Sequence, residues 1–432
     1  MKHAIPFSLA VVVVSGLFSR WSVASRRHRR RMSNLTHRVH VNGIRGKSTV
    51  TRLIAGVLRE AGLVTLAKTT GTAAAIIDPD GKDQAVHRYG PPTILEQLEI
   101  VRRVVAPQTE ALVIECMAIN PAYQRASERL IVHSTIGVLT NVREDHQDLM
   151  GESLTKIARS LLSTCPTNGV LITAERNPAL LPIIRQTAER NGTRLVMADP
   201  ESVTDAEIAA FSYVSFKDNV AIGLAVAAEL GIARDVAIRG MLAAAPDPGV
   251  LRIEHFVIAD MQVTWANLFA VNDRESMMIA MEQLEKYRSV ETTFVGILNN
   301  RSDRERRALQ FADVAVNDLR FDRLVTFGAF ETPVTKRLVS LGYPREHIIN
   351  LGKNRSPTID EMIDKMIRAC PTPHVVLVGF VNIHTDQADR LLEFFGEQQI
   401  DHAAVAQFET VSTIEPRTAA SAAGLGLLVR ST

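Results

Sequence analysis

The segment Gly43-Ile-Arg-Gly-Lys-Ser-Thr49 has the residue types and the spacing of a loop that binds phosphate. Glycines let backbone N–H groups close around an anion, and the N-terminus of a following helix adds its partial positive charge. Lys47 can neutralise β- and γ-phosphate oxygens, and the Ser48 hydroxyl is a ligand for Mg²⁺. The segment therefore predicts binding of ATP with Mg²⁺. The residues expected around the nucleotide phosphates are Gly43, Ile44, Arg45, Gly46, Lys47, Ser48 and Thr49.

The elements on both sides of this loop are those that a phosphate loop requires. Val39 and Val41 alternate in a short apolar run that predicts a strand, and residues 50–58 have the amphipathic spacing of a helix. The full G-x-x-x-x-G-K-[ST] pattern has a glycine where this chain has Val41. The shortened G-x-x-G-K-S also fits an ordinary glycine turn, but the order of strand, loop and helix favours a phosphate site.

A carboxylate follows another predicted strand, at the sheet edge where open α/β sheets bind their ligands. Glu115 ends the apolar run 111–115. Its carboxylate is suited to share Mg²⁺ with Ser48, directly or through water. Pairing of Glu115 with a nearby cation is the alternative.

The densest polar cluster of the chain follows the predicted strand 135–141, and it includes Asp145 and His146. A histidine beside carboxylates at a strand end suits metal binding or proton transfer, and the alternative is a solvated loop residue. The residues expected to be catalytic are Lys47, Glu115 and His146. Those expected to hold metal are Ser48, Glu115 and His146.

Other polar residues near strand ends give weaker signals. Residues Lys68 to Thr72 suit contact with phosphate or carboxylate, or a plain turn. Arg252, just past a likely domain boundary, and Asn272, after a strand, are expected to bind the nucleotide.

Short apolar runs alternate with helical patterns from Val39 onwards, which indicates an α/β fold. The runs are apolar at consecutive positions, which is typical of mostly parallel sheets that are covered on both faces. Strands are expected near 38–42, 63–67, 111–115, 135–141, 169–173, 193–198, 263–269, 292–298, 323–327 and 374–379. Helices are expected at 48–61, 93–105, 153–163, 218–230 and 274–287.

Pro246-Asp-Pro-Gly249 predicts a loop and a domain boundary. The expected organisation is an apolar anchor and basic segment over 1–36, an ATP-binding domain over 37–247, a smaller Rossmann-like α/β domain over 248–408 and a weakly ordered tail over 409–432. The tail is rich in Ala, Ser, Thr and Gly and has no amphipathic pattern.

The amino-terminal end combines an apolar run with basic residues. Residues 4–18 carry no charge, and five arginines with one histidine follow over 26–31. The run approaches the roughly 20 residues of a spanning helix if Arg20 snorkels. We expect a membrane-anchor helix, with the catalytic body facing the cytoplasm as the positive-inside rule requires. A cleaved signal peptide and an interfacial leader are the alternatives.

Charge and cysteine content further narrow the class of protein and the compartment in which it is expected. The chain has a net charge of +2, but no acidic residue precedes Glu60, and the first 59 residues hold twelve of its 49 basic side chains. The remainder is therefore acidic, which argues against a nucleic-acid-binding body. Three cysteines far apart make no metal-like spacing and favour a reducing compartment without disulfides.

The same motifs, in the same order, resemble the Mur ligase superfamily of ATP-dependent amide ligases. Those enzymes carry G-T-N-G-K-T-T at the loop, an aspartate–histidine pair that resembles Asp145-His146, and P-G-R-x-E where this chain has residues 248–254. Their Y-A-H-N-P segment corresponds to residues 269–273. Within the superfamily, the catalytic subunits of poly-γ-glutamate synthases (the CapB/PgsB type) are most similar over about 38–395.

This resemblance implies a ligase that uses ATP to polymerise glutamate through γ-amide bonds, by way of an acyl phosphate, with release of ADP. It also implies glutamate and the growing polymer as substrates, a cell-membrane location and small membrane subunits as partners. The departures are Asn267 and Leu268 where Mur ligases have an aspartate, and Val271 in place of a histidine. No lysine lies between Lys156 and Lys217, where many of them have a carbamylated metal ligand. Alternative functions are a membrane-tethered NTPase that energises transport, a folylpolyglutamate-type ligase and a nucleotide-binding scaffold.

Overall fold

The computed structural model describes residues 7–70, 74–86, 93–247, 250–271, 273–352, 357–382 and 385–398. The chain forms two compact units. Unit 1 comprises Met1–Ile253 and Asn267–Met277, and unit 2 comprises Glu254–Ala266 and Met278–Thr432. Several predictions lie outside the described residues, namely those for Gly71, Thr72, Pro248, Gly249, Asn272 and the tail 409–432.

Unit 1 contains an eight-stranded sheet with the order β4-β3-β2-β5-β1-β6-β7-β8. Its members are β1 (His37–Asn42), β2 (Thr65–Lys68), β3 (Ala75–Ile77), β4 (Asp83–Ala85), β5 (Ala111–Glu115), β6 (Ile136–Leu139), β7 (Val170–Thr173) and β8 (Arg194–Met197). The strands from β2 to β8 in this order pair in parallel, whereas β3 pairs antiparallel with β2 and β4. The mostly parallel α/β architecture is therefore confirmed, and the β3–β4 edge is an addition that the sequence patterns did not indicate.

Eleven of the described α-helices begin in unit 1, and several of them connect the strands of this sheet. They are α1 (Phe7–Ser33), α2 (Lys47–Glu60), α3 (Ile94–Val104), α4 (Pro121–Ala126), α5 (Gln147–Met150), α6 (Leu154–Leu161), α7 (Leu181–Arg190), α8 (Asp205–Ala209), α9 (Lys217–Glu229), α10 (Arg234–Ala243) and α11 (Arg274–Glu282). A π-helical segment, Ser127–Val132, follows α4. The apolar face of α2 is buried with Val39 and Val41 in one core cluster, so the helix behind the glycine loop is fixed by packing.

Unit 2 is built on a six-stranded sheet with the order β13-β12-β11-β14-β10-β9. Its strands are β9 (Ile253–Ile258), β10 (Met261–Leu268), β11 (Thr292–Asn300), β12 (Arg323–Gly328), β13 (Ile348–Asn350) and β14 (His374–Phe380), and its further helices are α12 (Glu305–Asn317), α13 (Glu331–Ser340), α14 (Ile359–Ile363) and α15 (Asp386–Glu397). The helix expected over 274–287 ends earlier, at Glu282, and a short 3₁₀ segment follows at Glu285–Tyr287. Strands β9 and β13 are also additions to the sequence-based set.

The amino-terminal helix α1 differs from the expected anchor. Among the described residues, no helix combines the length and the apolar character that crossing a membrane requires. The expected membrane-anchor helix is therefore not supported among the described residues, and α1 continues through the arginines that follow the apolar run. The carboxyl end of α1 is instead fixed to unit 1. Met32 is buried in a core cluster, and Arg38 donates to the carbonyls of Met32 and Leu35 at 3.0 and 2.7 Å.

Candidate active site

The glycine loop lies at the centre of the unit 1 sheet. Strand β1, which leads into the loop, pairs in parallel with β5 on one side and with β6 on the other. The carboxyl ends of these three strands therefore meet around the loop, at the edge where α/β sheets bind ligands. Lys47, Glu115 and the segment that holds His146 all lie at this edge, as the sequence predicted.

Two glycines give the loop its shape. Gly43 and Gly46 have φ angles of 136° and 78°, which side-chain-bearing residues rarely adopt. A Cβ atom on Gly43 would lie 2.0 Å from Thr140 Oγ1, and one on Gly46 would lie 2.7 Å from Asn219 Oδ1. The loop therefore requires glycine at both positions for conformation and for space.

The backbone of the loop is held from β6 and the residues after it. The Arg45 carbonyl accepts hydrogen bonds from Thr140 Oγ1 at 2.6 Å and from Asn141 Nδ2 at 3.1 Å. The Arg45 N–H donates to Asn141 Oδ1 at 3.0 Å. Ile44 buries its side chain in a cluster with Leu139 and Val142. Contacts within the protein thus hold the loop in its anion-binding shape, which is electrostatic preorganisation.

Lys47 is the first residue of α2, and its ammonium group points back into the loop. Nζ donates to the carbonyl oxygens of Gly43 at 2.9 Å and Ile44 at 3.1 Å. Burial lowers the pKa of Lys47, and nearby Arg45 lowers it further, whereas Glu115 raises it. A phosphate group in the loop would supply a further negative charge beside this poorly solvated ammonium.

Ser48 and Glu115 are in direct contact. Ser48 Oγ donates to Glu115 Oε2 at 2.8 Å, and the same carboxylate oxygen accepts from the Thr70 N–H at 2.6 Å. Glu115 is only 2% exposed, so its carboxylate is directed into the site. One hydroxyl and one carboxylate, both hard oxygen donors beside a phosphate loop, fit the preferences of Mg²⁺.

Asp145 and His146 come after β6, at the start of the short helix α5. His146 adopts a left-handed conformation with φ 47°, and its N–H donates to Asp145 Oδ1 at 2.9 Å. Burial lowers the pKa of His146, and the positive charges of Lys47 and Arg45 act in the same direction, while Asp145 opposes them. The neutral imidazole that results is suited to bind a metal or to exchange a proton.

The other residues predicted to bind the nucleotide or phosphate are Thr49, Arg252 and Lys68. Thr49 is half-buried on α2, and Arg252 is exposed just before β9. Lys68 is buried, with Nζ 3.6 Å from Glu96 Oε1. Within the described part of the chain, no group of three or more His, Cys, Asp and Glu side chains is arranged to hold a metal ion. The metal roles of Ser48, Glu115 and His146 stay predictions.

Three contacts of the site were not expected from the sequence. Asn141 holds the loop backbone, Asn219 lies close to Gly46, and Asp273 binds the side chain of Arg45, with Nε at 2.7 Å from Asp273 Oδ2. Asp273 is 228 residues away from Arg45 along the chain, so no local pattern links them. The sequence offered a signal for Asn141, which follows a predicted strand, and for Asp273, which lies in a polar pair with Asn272, but it did not indicate their partners in the loop.

The sheet, the glycine loop and the Ser48–Glu115 pair define a domain of the Mur ligase type. Residues 41–237 match the Mur ligase middle domain, and residues 253–398 match the poly-gamma-glutamate synthase CapB C-terminal domain. The capsule biosynthesis protein CapB of Bacillus anthracis is 35% identical over 376 residues, which cover 86% of this chain and 79% of that protein. The PGA synthase CapB of Bacillus subtilis (strain 168) is 34% identical over 393 residues, which cover 90% of this chain and 97% of that protein. The chain belongs to the CapB family of poly-γ-glutamate synthases.

Solved structures show the same fold at low sequence identity. Escherichia coli FolC in complex with ADP has a TM-score of 0.59 at 15% identity and covers 88% of this chain and 93% of its own. MurF from Acinetobacter baumannii has a TM-score of 0.62 at 13% identity, with coverages of 85% and 78%. A folylpolyglutamate synthase/dihydrofolate synthase from Yersinia pestis, complexed with AMPPNP and Mn, has a TM-score of 0.59 at 14% identity, with coverages of 86% and 93%.

Proposed function

We propose that this protein is an ATP-dependent, ADP-forming ligase that extends poly-γ-glutamate. The oxygen of a glutamate γ-carboxylate attacks the γ-phosphorus of ATP, and ADP leaves. The amine of the next glutamate then attacks the carbonyl carbon of the acyl phosphate, loses a proton, and displaces inorganic phosphate. A carboxylate does not react with an amine at neutral pH, so the acyl phosphate supplies the leaving group. The observation that carries this proposal is the preformed loop, with Lys47 inside it and the Ser48–Glu115 contact beside it.

The protein's own groups contribute positioning and charge. Phosphoryl transfer needs neutralisation of the charge on the transferred group, which we assign to Lys47 and the N–H groups at the start of α2. Ser48 and Glu115 would hold Mg²⁺, which supplies further charge neutralisation when bound. His146, neutral because of burial, would bind a second metal or donate a hydrogen bond to the acyl phosphate.

Membranes that contain the protein should release ADP and phosphate from Mg·ATP only when glutamate is present, with one ADP for each γ-amide bond formed. Labelled glutamate should appear in a γ-linked polymer, identified by mass spectrometry after partial hydrolysis. Membranes prepared without the protein provide the background. ADP release that is independent of glutamate, with no amide product, would instead identify the NTPase alternative. Glutamate added only to a small folate-type acceptor would identify the folylpolyglutamate alternative.

We also propose that the enzyme works at the cytoplasmic face of the cell membrane, beside small membrane subunits. Arg26, Arg27, Arg29 and Arg30 are exposed on α1, as are the aromatic side chains of Phe18 and Trp21. Basic residues near an anionic membrane each contribute about 1 kcal/mol to membrane binding, and aromatic rings favour the interface between membrane and water. The full chain should therefore bind vesicles that contain phosphatidylglycerol and not neutral vesicles, and replacing the four arginines with glutamine should abolish binding. Equal binding of both proteins would refute this role.

A further inference from the structure

The side chain of Arg45, two residues before Lys47 in the phosphate loop, is bound by two carboxylates. Its Nε donates to Asp273 Oδ2 at 2.7 Å, and its Nη2 donates to Asp145 Oδ2 at 3.1 Å. The Asp273 and Asp145 side chains are only 4% and 10% exposed, so water screens them weakly. These three side chains together carry a net charge of about −1 beside a loop that must bind an anion.

Asp273 is fixed in this position by its own neighbours. Its Oδ1 accepts from the Ser276 N–H at 2.8 Å, at the start of α11, and Arg143 Nη1 is 3.8 Å away. Arg143 also donates to Ser276 Oγ. Burial favours the protonated form of Asp273, but Arg45 and Ser276 outweigh it and hold the pKa of Asp273 below its usual value. Asp273 is therefore an ionised and oriented carboxylate.

The backbone and the side chain of Arg45 are held by different contacts. Thr140 and Asn141 hold the backbone of Arg45, whereas Asp273 and Asp145 hold its side chain. Arg45 lies two residues before Lys47 in the same loop, so its charge acts close to the cation that would meet the phosphates. The charge at the phosphate site can therefore change without loss of the loop.

We propose that Asp273 is a positioning residue that, with Asp145, binds and neutralises Arg45 and thereby limits how tightly the loop holds ADP. The loop already has Lys47 and a helix N-terminus to attract phosphate. An uncompensated Arg45 would add a second cation and retain the product, so ADP release would slow each cycle. This inference rests on the proposed use of ATP.

The test is the dissociation constant of ADP, measured by calorimetry on the full chain and on four variants. Asp273→Asn keeps the acceptor for Ser276 but removes one negative charge, so ADP should bind about tenfold more tightly. Arg45→Gln leaves both carboxylates without their cation, so ADP should bind about tenfold more weakly. The double variant restores the net charge of the native protein, and its affinity should lie within about threefold of the native value. Glu282→Gln, which removes an exposed carboxylate at the carboxyl end of α11, is the control and should leave the affinity for ADP unchanged.

Opposite changes in the two single variants are the required result, because a merely structural contact would weaken binding in both. In Asp273→Asn, the turnover number under saturating ATP should fall while the KM for ATP also falls. Weaker or unchanged ADP binding by a folded Asp273→Asn protein would overturn the inference and leave the proposed function intact. Absence of nucleotide binding by the native protein would overturn the proposed function itself.

Discussion

Replacing Lys47 with alanine should lower the rate of glutamate-dependent ADP formation by about 10³-fold or more, because a preorganised cation at the transferred phosphoryl group is lost. The Lys47 ammonium donates hydrogen bonds to the carbonyl oxygens of Gly43 and Ile44. These neutral partners are easily exchanged for phosphate oxygens, which form stronger, charge-assisted hydrogen bonds. The measurement is steady-state turnover in membranes that contain the variant.

The Lys47→Ala protein should remain folded, because contacts from Thr140 and Asn141 hold the loop independently of the lysine. Its thermal midpoint should lie within a few degrees of the native value. Lys82→Ala, at an exposed lysine between β3 and β4, is the matched control and should keep full activity. Turnover by a folded Lys47→Ala protein within about threefold of the native rate would contradict the assigned role.

Replacing His40 with alanine should lower the free energy of unfolding by about 3–5 kcal/mol, because it leaves a buried carboxylate without its counter-charge. His40 lies on β1 and is completely buried, with Nδ1 2.8 Å from Glu128 Oε2. The other oxygen of Glu128 accepts hydrogen bonds from Ser134 N and Oγ, both at 2.9 Å. Glu128→Gln should destabilise by a similar amount, and the double variant by less than the sum of the two. Urea unfolding at pH 7 measures all three.

The His40–Glu128 pair also determines the direction in which the free energy of unfolding changes with pH. Burial alone would lower the pKa of His40, but the nearby Cys116 and the hydrogen-bonded Glu128 raise it to about 9, above the ordinary value of 6.5. The stabilisation from protonated His40 is therefore complete below about pH 6.5 and is lost as the pH rises through 9. The difference in stability between the native protein and His40→Ala should shrink from pH 7 to pH 10. A difference that grows over this range would show that His40 is not charged in the folded protein.

An exposed ion pair in unit 1 is the control for the predicted effect of His40→Ala on the free energy of unfolding. Arg176 and Asp199 lie 2.7 Å apart, and about half of each side chain is exposed. Water screens such a pair and its side chains keep much of their freedom, so Arg176→Ala should cost no more than about 1 kcal/mol. A comparable loss in both variants would mean that the burial of the His40–Glu128 pair has no special effect.

The strands and the helix around the phosphate loop were predicted to within a few residues, because their patterns are local. The apolar run before Gly43 became β1, and the amphipathic stretch after it became α2. Strands β3, β4, β9 and β13 were missed. The first two and β13 are three residues long, too short for a repeated pattern to distinguish them from a loop.

The amino-terminal helix was predicted from hydropathy, and its contacts with the rest of unit 1 were not. Hydropathy reports the apolar character of consecutive residues. The helix continues through the arginines to Ser33, and His28 and Met32 near its carboxyl end contact other residues of unit 1. The buried contact between His28 Nε2 and the Ile131 carbonyl, at 2.8 Å, spans 103 residues. No hydropathy pattern reports such a contact.

The sequence by itself determined the chemistry of the site: glycines where positive φ angles are required, a lysine and a serine at the start of a helix, and a carboxylate at the end of a neighbouring strand. These features are local, since each depends on a residue type and its position relative to one strand or helix. Only the tertiary structure decided which distant groups meet. The pairs Ser48–Glu115, His40–Glu128 and Arg45–Asp273 join residues 67, 88 and 228 positions apart. Burial then fixes the energy of these charges, and burial is a property of the packed molecule, not of any segment.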